Sequence, residues 1–135
     1  MKKRKFRFWL ILSLLWLAVI FWQSSMPART SHTESRGLLA ALQPIFPFLT
    51  HHLLRKLAHF LSFALLGIFF TGMFRNARGF LLLKPLSCCL FAALCDETLQ
   101  LYVEGRAGML TDVWLDFAGA LTGTLLMWLI YKIRK

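Results

Sequence analysis

Four apolar stretches, each near the length that crosses a bilayer, govern what this chain can fold into. They run from Phe6 to Gln23, Arg55 to Phe74, Pro85 to Val103 and Asp112 to Tyr131. About 20 helical residues span the ~30 Å of hydrocarbon in a membrane. The chain is 58% hydrophobic and its mean hydropathy is +0.60, more apolar surface than a soluble domain of 135 residues can hide. The expectation is therefore an all-α membrane protein: a four-transmembrane-helix bundle in a single domain over residues 1–135. No internal repeat or low-complexity tract interrupts it. The first stretch follows "MKKRK" and has the outline of a signal peptide. Its apolar run is long, however, and "SSMPARTS" makes a poor cleavage site, so it reads as an uncleaved anchor helix. Pro85 falls in a first helical turn, where its missing N–H costs nothing. Cys88, Cys89 and Cys95 match no zinc or redox spacing and read as small apolar residues.

The formal net charge of +10 would suggest nucleic acid in a soluble protein. Here the basic residues flank apolar runs, which points to membrane topology and to lipid as the partner, not nucleic acid. The N-terminus carries Lys2, Lys3, Arg4, Lys5 and Arg7. Arg75, Arg78 and Lys84 fall between the second and third spans, and Lys132, Arg134 and Lys135 follow the fourth. These eleven, with no acid among them, oppose five on the other side: Arg29, Arg36, Arg55, Lys56 and Arg106. The excess of Lys and Arg marks the cytoplasmic side, so both termini are expected there. Trp9 and Trp128 would mark the inner interface, Trp22 and Trp114 the outer one. The outer segment from Ser24 to Leu54 opens polar and turns apolar, and Pro44 and Pro47 argue against a further span. It is expected to be an interfacial helix or loop on the outer leaflet.

Five of the six acidic residues, Asp96, Glu97, Glu104, Asp112 and Asp116, lie between residues 94 and 120. A carboxylate in a membrane helix costs about 2.5 to 3.5 kcal/mol on insertion scales, so such residues call for partners. The basic candidates are Arg55, Lys56, His59 and Arg106. His59 sits one turn into the second span, roughly 6 Å deep at the rise of a helix, and Asp116 lies at a similar depth in the fourth. Asp96 and Gln100, one turn apart, share a face, with Glu97 flanking them. On the fourth span Asp112, Asp116, Gly119 and Gly123 form one stripe, which contains a G-x-x-x-G, "GALTG". Small residues in that pattern let a neighbouring backbone approach closely. On the second span Lys56, His59, Phe63 and Gly67 share a face. These three faces are expected to meet, with the acids turned into the bundle.

The segments "RKLAHFLSFALLG", "DETLQLYVEGR" and "TDVWLDFAGALTG" together resemble the VanZ-like family of small bacterial membrane proteins. The match runs through Lys56 and His59, Asp96, Glu97 and Gln100, Gly105 and Arg106, then Asp112, Gly119 and Gly123, and covers about half the chain. "WQSSMPA" after the first span also has a family look. The chain departs from the pattern at Asp116, where Asn is more usual, at Phe63, where Tyr is common, and at Glu104, a frequent Pro position. The resemblance implies a multi-pass protein of the bacterial cytoplasmic membrane, with a role in the envelope. The family's named member is linked to low-level resistance to teicoplanin, a glycopeptide.

Two functional readings follow. In the first, an outward-facing polar cavity binds the headgroup of a lipid, a lipid-linked cell-wall precursor or a glycopeptide. Arg55, Lys56 and Arg106 would meet phosphate or carboxylate, while Gln100 and the acids would accept from sugar hydroxyls or amines. In the second, the chain is a membrane-embedded enzyme. His59 near Glu97 or Asp96 would act as general base, or Asp96, Glu97, Asp112 and His59 would hold a divalent metal. No tight ligand spacing supports the metal, so no residue is assigned to one and no cofactor is named. No G-x-S-x-G, H-E-x-x-H or P-loop pattern is present. A salt-bridged plug joining three helices is the purely structural alternative. His32, His51 and His52 carry no specific signal in the sequence.

Overall fold

The described residues of the computed structural model are 2–75 and 82–134. Arg78 and Lys135, counted above among the basic residues, lie outside them. Among the described residues the fold is all helical: α1 Lys2–Ser24, α2 Ala28–Leu42, α3 His51–Phe74, α4 Leu83–Gln100 and α5 Leu110–Ile133. Three helices are long and apolar enough to cross a membrane, over Lys3–Ser24, His51–Phe74 and Leu110–Ile133. The 18 residues of α4 include Lys84, Asp96 and Glu97, which lower its hydropathy. Both of its acids are buried inside the protein.

The direction of each helix follows from its contacts. Gly119 of α5 lies against Phe60 of α3, Gly123 against Ala64, and Gly67 against Ala120 and Thr124, so α3 and α5 run parallel. α1 runs opposite to α3: its Trp9 packs on Gly72, while Trp16 Nε1 donates to the Ser62 carbonyl at 2.9 Å. A parallel pair joined by one intervening helix requires that helix to carry the chain back, so α4 returns between them. The core lies where the four long helices meet, around Phe63, Leu66, Cys89, Ala93 and Ala120, all fully buried.

The α3–α5 seam is close because it is built from small residues. A Cβ at Gly119 would collide with the Phe60 carbonyl, and one at Gly123 with the Ala64 carbonyl. Gly67, Gly119 and Gly123 all lie in close contact with the facing helix along this seam. Leu126, further along α5, is 52% exposed.

Several helix ends depart from the expected bounds, and at two of them the hydrogen bonds show why. α3 starts a turn earlier than Arg55 because Thr50 caps it, its Oγ1 accepting from the Leu53 N–H at 3.2 Å. α4 stops at Gln100, three residues before the expected Val103. There the amides of Leu101, Tyr102 and Val103 donate to Thr98, Leu99 and Gln100, tightening the chain into turns, and Gly105 follows with φ 73°. Between α1 and α3, where helix and loop were both open, α2 is a helix. Pro27 precedes it, and the Ala28 N–H donates to the Glu104 carbonyl at 3.2 Å, tying it to the α4–α5 loop.

Candidate functional site

The polar side chains converge where α3, α4 and α5 meet beside the end of α1. His59, one turn above Phe63 on the inward face of α3, is the hub. Its Nδ1 lies 3.5 Å from Asp116 Oδ1 and 3.9 Å from Asp96 Oδ2. Asp96 and Asp116 are fully buried. Gln100, one turn beyond Asp96 and equally buried, donates through Nε2 to Asp96 at 3.0 Å and to Glu97 at 3.2 Å. One amide thus bridges the two neighbouring acids of α4. Glu97 also accepts the Met109 N–H at 2.8 Å, which holds the start of α5 against the end of α4. Ligand atoms of His59, Asp96, Glu97 and Asp116 all fall within 4.8 Å of one another.

Several polar atoms here lack partners. Both oxygens of Asp116, Oδ1 of Asp96 and Oε1 of Gln100 are buried without a hydrogen bond. The Asp116–His59 contact is close enough for electrostatic attraction but is not aligned as a hydrogen bond.

The expected cations divide among three places. Lys56 pairs with Asp112 at 3.4 Å, to the side of the cluster and partly exposed. Arg106 reaches across the bundle to donate to the Gln23 carbonyl at 3.1 Å and makes no ion pair with the acids among the described residues. Burial, with Arg55 near, moves the Arg106 guanidinium below its ordinary pKa. Arg55 likewise makes no ion pair among the described residues and faces a cavity. The expected partnership of the acids with Arg55 and Arg106 is therefore not what the structure forms. Of the metal quartet weighed from sequence, Asp112 is absent and Asp116 takes its place.

The cavity, of about 240 Å³, lies between α1, α2 and α3. Ser24, His32, His51, Arg55, His59 and Arg106 are its main polar lining, and Ile20, Leu38, Leu54 and Phe63 are apolar. Among the described residues, no carboxylate lines it. His59 joins the cavity to the acids, its side chain 18% exposed. His32 and His51 were given no role from sequence. Their rings stack edge-on at 6.0 Å, and Ser35 Oγ lies 3.4 Å from His51 Nδ1. The end of α1 was missed as well, although Gln23 and Ser24 fall in the "WQSSMPA" stretch that carried a family look.

The polar order on α3, α4 and α5, with the glycine seam below it, follows one family's pattern along almost the whole chain. The sequence model of the VanZ/LLP1 family matches residues 8–131. This chain belongs to that family. The VanZ/LLP1 match covers every helix that contributes to the polar cluster and to the cavity. No curated protein and no solved structure matches the chain.

Proposed function

We propose that this VanZ/LLP1 protein spans the bacterial cytoplasmic membrane four times and binds an anionic headgroup of a lipid-linked or cell-surface molecule in the cavity between α1, α2 and α3. The carrying observation is the sorting of charge: two guanidinium groups, Arg55 and Arg106, line the cavity, and among the described residues no carboxylate does. Guanidinium groups pair with phosphate or carboxylate in a planar fork. The apolar lining suits the first methylenes of a lipid chain.

Parallel packing of α3 and α5 supports α4 as the fourth span, since the chain must cross back between them. Its charge does not oppose this, because Asp96 and Glu97 face the protein interior. The asymmetry of eleven basic residues against five supports cytoplasmic termini and a cavity on the outer side. On that side α2 would rest on the outer leaflet. An envelope role agrees with the family's association with teicoplanin resistance.

An enzymatic reading has one observation in its favour. His59 stands between the cavity and two buried carboxylates, the arrangement of a general base oriented by an acid.

Native mass spectrometry of purified protein with a lipid diphosphate tests the binding reading. Arg55→Gln with Arg106→Gln should weaken retention at least tenfold relative to a zwitterionic lipid, about 1.4 kcal/mol or more. Equal retention by wild type and the double variant would exclude this cavity as the headgroup site. Hydrolysis or transfer of a labelled lipid-linked precursor, lost in His59→Gln, would establish the enzyme. Cysteines placed at Ser35 and Gly108 in a background without Cys88, Cys89 and Cys95 should label from outside; labelling of both only from the cytoplasm refutes the orientation.

A further inference from the structure

The buried cluster beside the cavity is short of positive charge. Three carboxylates, Asp96, Glu97 and Asp116, converge on one imidazole. Lys56 is engaged with Asp112, Arg106 with the Gln23 carbonyl, and no Arg55 ion pair exists among the described residues. A salt-bridged plug needs its charges matched and its remaining lone pairs satisfied. Here both oxygens of the fully buried Asp116 lack hydrogen bonds, although Oδ1 points to within 3.5 Å of His59. Asp96 Oδ1 and Gln100 Oε1, also fully buried, are left in the same state.

We propose that His59, Asp96, Glu97 and Asp116 form a binding site for a divalent transition-metal cation, with Mn²⁺ the best fit and Zn²⁺ the next. The site adjoins the guanidinium-lined cavity, with His59 common to both, and does not rest on headgroup binding. One imidazole nitrogen among carboxylate oxygens suits Mn²⁺ or Zn²⁺ better than Ca²⁺ or Mg²⁺, which prefer oxygen alone. Metal bonds of about 2.1 Å allow ligand atoms up to about 4.2 Å apart. The present 4.8 Å spread closes to that by inward shifts of a few tenths of an ångström per side chain. Gln100 already serves as an outer-shell partner, its amide donating to both α4 acids and orienting their free oxygens. A dication supplies the missing positive charge and takes up the unpartnered lone pairs together. It also places the metal one side chain away from the cavity, through His59.

The test uses the full chain purified in detergent, stripped with chelator and titrated with Mn²⁺ under electron paramagnetic resonance, with Zn²⁺ followed by elemental analysis. Wild type should bind a single ion per chain, and Mn²⁺ should raise its unfolding temperature. Asp116→Asn and His59→Gln should each weaken binding about tenfold or more and abolish the thermal shift. Asp112→Asn, one turn away on the same stripe, should leave both unchanged. Helix content by circular dichroism identifies any variant that fails to fold; should Asp116→Asn do so, His59→Gln carries the comparison. Stripped wild type that binds neither ion overturns the proposal and leaves the carboxyls neutralised by protons. Equal weakening by Asp112→Asn and Asp116→Asn overturns it too, since the ion would then be held by diffuse charge.

Discussion

The α3–α5 seam is held by opposite means at its two levels. From Ala64 to Thr71, α3 meets α5 backbone to backbone across Gly67, Ala120, Gly123 and Thr124. Its polar atoms are satisfied locally: Thr71 Oγ1 donates to the Gly67 carbonyl at 2.7 Å, and Thr124 Oγ1 to the same carbonyl at 3.5 Å. A turn or two away, at His59 and Asp116, the helices face each other through ionisable groups that leave buried oxygens unpartnered. The first level gains from close packing, as membrane helices generally do. The second carries a cost that apolar side chains of similar volume would avoid. Close packing holds the seam, whereas the polar level leaves fully buried oxygens without hydrogen bonds.

The largest effect expected of this division is in the seam. Gly123→Leu forces side-chain atoms into the Ala64 carbonyl and should cost about 3 kcal/mol by overpacking. Leu126→Ala, on the exposed face, should change stability by less than about 0.5 kcal/mol. Thermal unfolding in detergent separates the two, and equal melting of both variants with wild type would erase the distinction. Glu97→Ala comes next: it strips the Met109 N–H of its acceptor and should cost about 2 kcal/mol. Glu97→Gln retains an acceptor and should remain close to wild type, so the pair of variants separates hydrogen bonding from charge.

Asp116→Asn probes the polar level itself. With chelator present it should be about 1 kcal/mol more stable than wild type, since it removes a buried charge whose oxygens are unpartnered. Marked destabilisation, rescued by a second neutral substitution at His59, would instead make the cluster a plug. The smallest effect belongs to Lys56→Met, because its pair with Asp112 is partly exposed; a loss of about 0.5 kcal/mol is expected in denaturant or thermal titration.

Much of this division was legible beforehand for a simple reason. Helical periodicity fixes which residues share a face, so the inward stripe of Asp112, Asp116, Gly119 and Gly123 could be read directly from spacing. The inward turn of Asp96 and Gln100 follows from the same rule. Depth was less accessible. Counting from the span ends put Asp116 level with His59, but no spacing named the partner of Asp112. Lys56 is most of one turn before His59 on α3, and its approach to Asp112 depends on how far α5 slides along α3, which the glycine contacts decide.

By itself, then, the sequence determined the helices, their apolar outer surfaces, the small-residue seam and the set of ionisable residues turned inward, because length, hydropathy and period are local properties. Only the tertiary structure decided how those charges were shared out. Arg106 finds the Gln23 carbonyl across 83 residues of chain, and His32 meets His51 only because α2 folds back beside α3. It also ended α4 early, where a tightened turn lets Glu97 hold the start of α5. Such pairings depend on the direction and register of whole helices, and those are set by close packing at Gly67, Gly119 and Gly123, far in sequence from most of the polar groups they bring together.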